Sequence, residues 1–188
     1  MNREDWLNEV AKHLEKICLP QLAEKTYRVS IGFPSTGRAG KRIGECWGTA
    51  SSKDGVNEIF VHPGLDDAAE VVAVLAHELC HVVAGCEAGH GPAFRRVATG
   101  IGLVGKMTAT AAGDALKSRI ADILQAVGPL PHAALNSAVQ AGGKKKQSTR
   151  MIKVACPDCG YTARVTRKWL DAAGAPICPA CDEQMREE

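Results

Sequence analysis

The chain has 188 residues, of which 45% are apolar and 23% charged, and its formal net charge is +2. Such a length holds one modest domain plus an appendage, and the apolar share suffices for a buried core. No run approaches the ~18 consecutive apolar residues of a membrane span, and the opening MNREDWLNEV, charged from its third residue, lacks the apolar centre of a secretory signal. The eight cysteines do not read as a secreted disulfide framework, because four of them have metal-binding spacing, which fits a reducing compartment. A cytoplasmic protein without membrane association is expected.

In chain order, Asp5 to Ala23 carries Trp6, Val10, Leu14 and Ile17 at helical spacing, with Pro20 marking a bend or stop. Tyr27 to Phe33 alternates like a strand, and Gly44 to Ala50 and Glu58 to His62 are further strands. Together they can form a small antiparallel sheet, and Trp47 reads as a core residue. Asp66 and Asp67 suit a helix start, and Ala68 to Ala84 then carries apolar residues on all its faces. Pro92 suits the first position of a helix through Phe94, Val97 and Ile101. A last helix is expected from Ala111 to Val127, ended by Gly128-Pro129-Leu130-Pro131. The fold class is α+β. The expected division is a domain over 1–137, a flexible basic linker over 138–150 and a small metal-binding module over 151–188.

Residues 77–81 read His77-Glu78-Leu79-Cys80-His81, the HExxH pattern. On a helix, positions i and i+4 share a face, so both imidazoles can reach one zinc ion. Glu78, one position on, can contact a water at an open coordination position. The expected third ligand is His90, because Gly85 and Gly89 can turn the chain back over the helix. Glu87 is the competitor, although the full metzincin spacing fails: Ala84 stands where that pattern needs Gly, and Glu87 where it needs His.

Cys156-Pro157-Asp158-Cys159 and Cys178-Pro179-Ala180-Cys181 are two CxxC knuckles at zinc-ribbon separation. Four thiolates make a closed structural site with no place for a water. Two zinc ions per chain follow, one catalytic and one structural. Charge is uneven along the chain. Residues 1–141 carry −1, and 142–170 carry +7 through Lys144, Lys145, Lys146, Arg150, Lys153, Arg164, Arg167 and Lys168; the remainder carries −4. With Tyr161 and Trp169 among the charges, this segment is expected to bind DNA phosphates.

The run HELCHVVAGCEAGHGPAF resembles the SprT-like zinc metalloproteases, the group that includes Spartan, in which HExxH is joined to a downstream histidine in an HGxxF-type segment, here His90 to Phe94. The likeness extends upstream to Trp47 and to Glu58–Pro63. The ribbon is similar to that of SprT-like proteins of bacteria and their phages. The His81-to-His90 loop is short beside Spartan's, so substrate gating is not carried over. The resemblance implies a zincin-like endopeptidase acting on proteins bound or crosslinked to DNA in a bacterial or phage-infected cell, with the ribbon as targeting module. Glu78 would be the general base. Two alternatives stand beside it: a DNA-binding or transcription-associated zinc-ribbon protein whose protease-like fold is mainly structural, and a phage protein-processing protease.

Overall fold

The computed structural model describes residues 1–37, 41–136 and 151–188. The chain forms two compact units, 1–140 and 141–188. The predicted linker, with Lys144, Lys145, Lys146 and Arg150, lies outside the described residues.

In the first unit, α1 (Arg3–Ile17) opens on a capping box in which Asn2 and Asp5 satisfy each other's backbone amides. It buries Trp6, Leu7, Val10, Ala11 and Leu14 along one face. The helix stops short of the predicted Ala23, since Pro20 has no amide proton to continue it and opens a 3₁₀ turn, Pro20–Glu24. The Trp6 indole donates to the Gly128 carbonyl at 3.0 Å, which ties the start of α1 to the far end of the unit.

Three strands form one sheet: β1 (Tyr27–Ile31), β2 (Gly44–Trp47) and β3 (Asn57–Val61), in the order β1-β3-β2. The sheet is mixed, which corrects the antiparallel expectation: β2 runs antiparallel to β3, but β1 runs parallel to it. The reason is burial. β3 alternates with Asn57, Ile59 and Val61 buried, and takes the centre, while β2, with exposed Trp47, takes the edge. A chain that reverses twice and then inserts its third strand beside its first must pair those two in parallel.

The helix α2 (Ala68–Ala84) is capped by Asp67, whose carboxylate accepts from the Glu70 amide at 2.7 Å. It lies against β2 and β3 on one side and against α1 and α4 on others, which explains its apolar character all round. Then α3 (Pro92–Ile101) opens on Pro92 and ends at Gly102, whose φ of 99° is the left-handed cap that glycine favours. A hairpin follows that the sequence reading missed: β4 (Leu103–Lys106) and β5 (Ala109–Ala112), antiparallel. It takes up the residues assigned to the start of the last helix, so α4 spans Asp114–Val127.

The second unit holds β6 (Met151–Ala155), β7 (Thr162–Thr166), α5 (Arg167–Ala173) and the short β8 (Arg186–Glu187). Both neighbours of the central β6 are antiparallel to it. The two knuckles repeat one turn. Gly160 N–H donates to Cys156 O and Cys156 N–H to Tyr161 O; Asp182 N–H donates to Cys178 O and Cys178 N–H to Glu183 O. Gly160 and Asp182 are both left-handed, with φ 72° and 54°. Among the described residues, the buried apolar cluster of this unit is Val154, Cys156, Cys178 and Met185, with the partly buried Ala163, Val165, Leu170 and Ala175 packed against it. So small a core is a weak basis for folding, and a metal held by the four thiolates would supply stabilisation that it lacks.

Candidate metal centre

His77 and His81 stand one turn apart on α2, as the i, i+4 spacing requires. The chain then reverses through two glycines with positive φ, Gly85 (87°) and Gly89 (51°), and returns His90 over the helix. The His90 Nε2 lies 3.2 Å from His77 Nε2 and 3.3 Å from His81 Nε2. Zinc with ~2.0–2.1 Å bonds in a tetrahedron sets its nitrogen donors ~3.3–3.4 Å apart, so the donor set fits that ion. Glu87 is exposed, with its carboxylate folded back toward Gly85, and is not among the three converging donors.

Two groups hold the imidazoles in place. The fully buried Phe94 stacks on the His81 ring at 4.2 Å between centroids, and the His77 and His90 rings lie 4.8 and 5.0 Å from it. The Thr110 hydroxyl, on β5, lies 2.8 Å from His77 Nδ1. With Nε2 kept as a lone-pair donor, Nδ1 carries the proton and donates it to Thr110. Sequence reading placed Phe94 only as a helix core residue and missed Thr110. The HGxxF segment was the available signal for Phe94; none existed for Thr110.

Burial pushes the His77 imidazole down to about 4, with His90 adding to it. It pushes His81 down to about 3, with His77 and His90 adding. His90 is lowered too, by burial and by Arg42. All three are therefore neutral near pH ~7, the form that binds a metal. Glu78 is buried beside them, and burial raises its carboxyl to about 8, with Glu45 and Cys86 acting in the same direction. Gly44 makes room for it: a Cβ there would meet Glu78 and Val74.

The histidines open on a cleft of about 800 Å³. The edge strand β2 forms one wall and the β4–β5 hairpin, from Thr108 to Ala112, the other. At its rim, the buried Glu45 accepts from the Ser35 amide and hydroxyl, both at 2.6 Å, from the Trp47 indole at 3.1 Å, and from Arg42. Burial acts to raise the Glu45 carboxyl, but these bonds win and hold it below the usual range. The bond to Glu45 keeps Trp47 at the surface, 40% exposed, rather than in the core position expected of it.

The SprT-like family model matches residues 7–113, a span that contains the three histidines, Glu78, Phe94 and Thr110. The chain belongs to the SprT-like family. No curated protein and no solved structure matches it. Within the SprT-like span, α2, α3 and the β4–β5 hairpin each contribute to the metal centre.

Outside the SprT-like span, Cys156, Cys159, Cys178 and Cys181 form a second donor group. Their sulfurs approach to between 3.3 Å (Cys156–Cys181) and 3.6 Å (Cys159–Cys178). Tetrahedral zinc–thiolate bonds of ~2.3 Å require ~3.8 Å, a small expansion. Backbone amides of Cys159 and Asp158 draw the Cys156 thiol down to about 7, toward the thiolate that metal binding needs. Of the predicted phosphate-binding residues in this unit, Lys153 and Arg164 face each other across β6 and β7. Lys153 pairs with Glu188, and Arg167 with Glu187 and Asp171. The Lys168 ammonium lies 5.1 Å over the Trp169 ring. Arg164 has no acidic partner among the described residues. Among those residues, no helix is long and apolar enough to cross a membrane.

Proposed function

We propose that this SprT-like chain is a zinc-dependent endopeptidase acting in the cytoplasm on DNA-associated proteins. The observation that carries the reading is the convergence of three imidazole Nε2 atoms beside a buried glutamate, in a cleft walled by the edge strand β2. When bound, zinc would supply Lewis acidity toward the scissile carbonyl and acidify the attacking water. His77, His81 and His90 would hold it, with Thr110 and Phe94 fixing their rings. With a zinc ion beside it to offset the burial that raises its carboxyl, Glu78 would be ionised, accept the proton of the water that attacks the carbonyl and deliver it to the leaving amine. Among the described residues no strand pairs with the outer edge of β2, whose amides and carbonyls would be offered to an extended peptide and align the substrate across the metal site.

The second unit supports the choice of substrate. Its Cys₄ group fits a structural zinc, and it carries Lys153, Arg164, Arg167 and Lys168, continuing the basic run of the preceding segment. We read it as a module that brings the protease to DNA. The test is a cleavage assay on the full-length protein with a DNA-binding protein as substrate, with and without single- and double-stranded DNA. Glu78→Gln removes the base while preserving shape, so cleavage should fall by at least ~10²-fold with both zinc ions retained. Cleavage undiminished in Glu78→Gln would refute the role of Glu78. A wild type inactive on every such protein, with or without DNA, would refute the substrate class.

A further inference from the structure

Cys46 and Cys86 are not metal donors in either cluster, yet they meet across the catalytic cleft. Cys46 lies on the edge strand β2, and Cys86 opens the 3₁₀ turn Cys86–Ala88 between His81 and His90. Their sulfurs are 2.9 Å apart, and both residues line the cleft and are half-buried, so a small solute can reach them. Gly48 permits the approach, since a Cβ at that position would press on Cys86 Cβ at 3.3 Å. The other two cysteines of this unit are placed differently. Cys80 is wholly buried, and Cys18 donates to the Leu14 carbonyl at 3.3 Å.

The two sulfurs also differ in chemistry. The contact between them lowers the Cys86 thiol below its ordinary value, while the same contact and burial push Cys46 up. Cys86 is therefore the sulfur that ionises and attacks, and Cys46 the one that resolves.

We propose that Cys46 and Cys86 are a redox-active dithiol on the wall of the cleft, converted reversibly into a disulfide by low-molecular-weight disulfides. In the first step the Cys86 thiolate attacks one sulfur of the small disulfide. An S–S bond forms to Cys86, the original S–S bond breaks, and one small thiolate leaves. In the second step Cys46 gives up its proton and attacks Cys86 Sγ, forming the Cys46–Cys86 bond and expelling the second small thiolate. Two protein thiols are oxidised, one small disulfide is reduced to two thiols, and the two protons released by the protein end on those thiols. Only a short closure separates the present contact from the ~2.05 Å bond. The product ties the edge strand to the turn that carries His90, so it fixes the width of the cleft without using a metal ligand.

The test reads sulfur chemistry and holds whatever the cleft cleaves. Full-length, zinc-loaded protein is incubated with oxidised glutathione, quenched in acid, alkylated and mapped by mass spectrometry with fragmentation. The expected result is a Cys46–Cys86 crosslink that dithiothreitol reverses, with Cys18 and Cys80 still alkylated and both zinc ions retained. Cys46→Ser should stop at a glutathione adduct on Cys86, and Cys86→Ser should accumulate adduct on Cys46 at least ~10-fold more slowly. Full alkylation of both thiols in the wild type, or a wild type that stops at the Cys86 adduct, would overturn the proposal. So would crosslinks that join either residue mainly to Cys18, Cys80 or the ribbon cysteines.

Discussion

Thr110→Val removes one hydroxyl and little else. Valine matches threonine in volume and suits a strand, so the β4–β5 hairpin should keep its register. What is lost is the 2.8 Å bond to His77 Nδ1. The Nδ1 proton is then left inside the half-buried wall of the cleft without its acceptor. Leaving such a donor unsatisfied costs ~1–3 kcal/mol, which at ~1.4 kcal/mol per decade corresponds to roughly 5- to 150-fold. The cost appears in metal affinity because the bond selects the tautomer that presents Nε2 to the metal, and losses of ~10–100-fold are usual for such supporting contacts. Zinc affinity is measured by competition with a chromophoric chelator, and the Cys156/Cys159/Cys178/Cys181 group in the same chain serves as the internal reference. Thr110→Val should weaken the three-histidine site alone, and Thr110→Ser, which keeps the hydroxyl, should restore it. Unchanged affinity in the valine variant, or a serine variant as weak as valine, would show that the hydroxyl does not orient His77.

His90→Ala should lose one zinc and all cleavage together, whereas Glu87→Ala, outside the converging donors, should keep both; the reverse pattern in elemental analysis would make Glu87 the ligand. The depressed His77 and His81 pKa values mean that the folded, metal-free protein holds them unprotonated at a pH where the unfolded chain takes up protons. Their contribution to stability is therefore complete above about 6.5 and is lost as pH falls toward about 3–4. Between about pH 7 and about pH 5 the raised Glu78 carboxyl acts the other way, so the share of the histidines is read as the difference between chelator-treated wild type and a His77→Ala, His81→Ala double variant. Lowering the pH over that range should cost the wild type more urea stability than the double variant, and an equal pH dependence in the two would contradict the assignment. In the second unit, Arg164→Ala should reduce the salt dependence of DNA binding by about one unit, as expected for one lost phosphate contact. Lys153→Ala should reduce it less, because Glu188 already neutralises that lysine. Equal effects of the two variants on DNA titrations at several salt concentrations would contradict this ranking.

What the sequence determined by itself was local. A helix over Ala68–Ala84 follows from its apolar run and the Asp67 cap, and that helix alone puts His77 and His81 on one face. The two CxxC knuckles are likewise complete within a few residues each, since one turn of backbone brings both sulfurs of a pair to the same side. These features depend on dihedral angles and period, which neighbouring residues fix.

Everything joining distant segments was decided by packing. Strand alternation marked three strands but not their order, because pairing is chosen by which strand can be buried from both sides, and β3 was the one. The β4–β5 hairpin escaped notice: its residues, Gly105 and Thr110 among small apolar side chains, carry little alternation, and only its place over α2 gives it a role. Thr110 reaches His77 across 33 positions of chain, and Cys46 reaches Cys86 across 40. Spacing rules lose their force over such lengths, because the closure of a long loop is set by the whole core rather than by the residues at its ends.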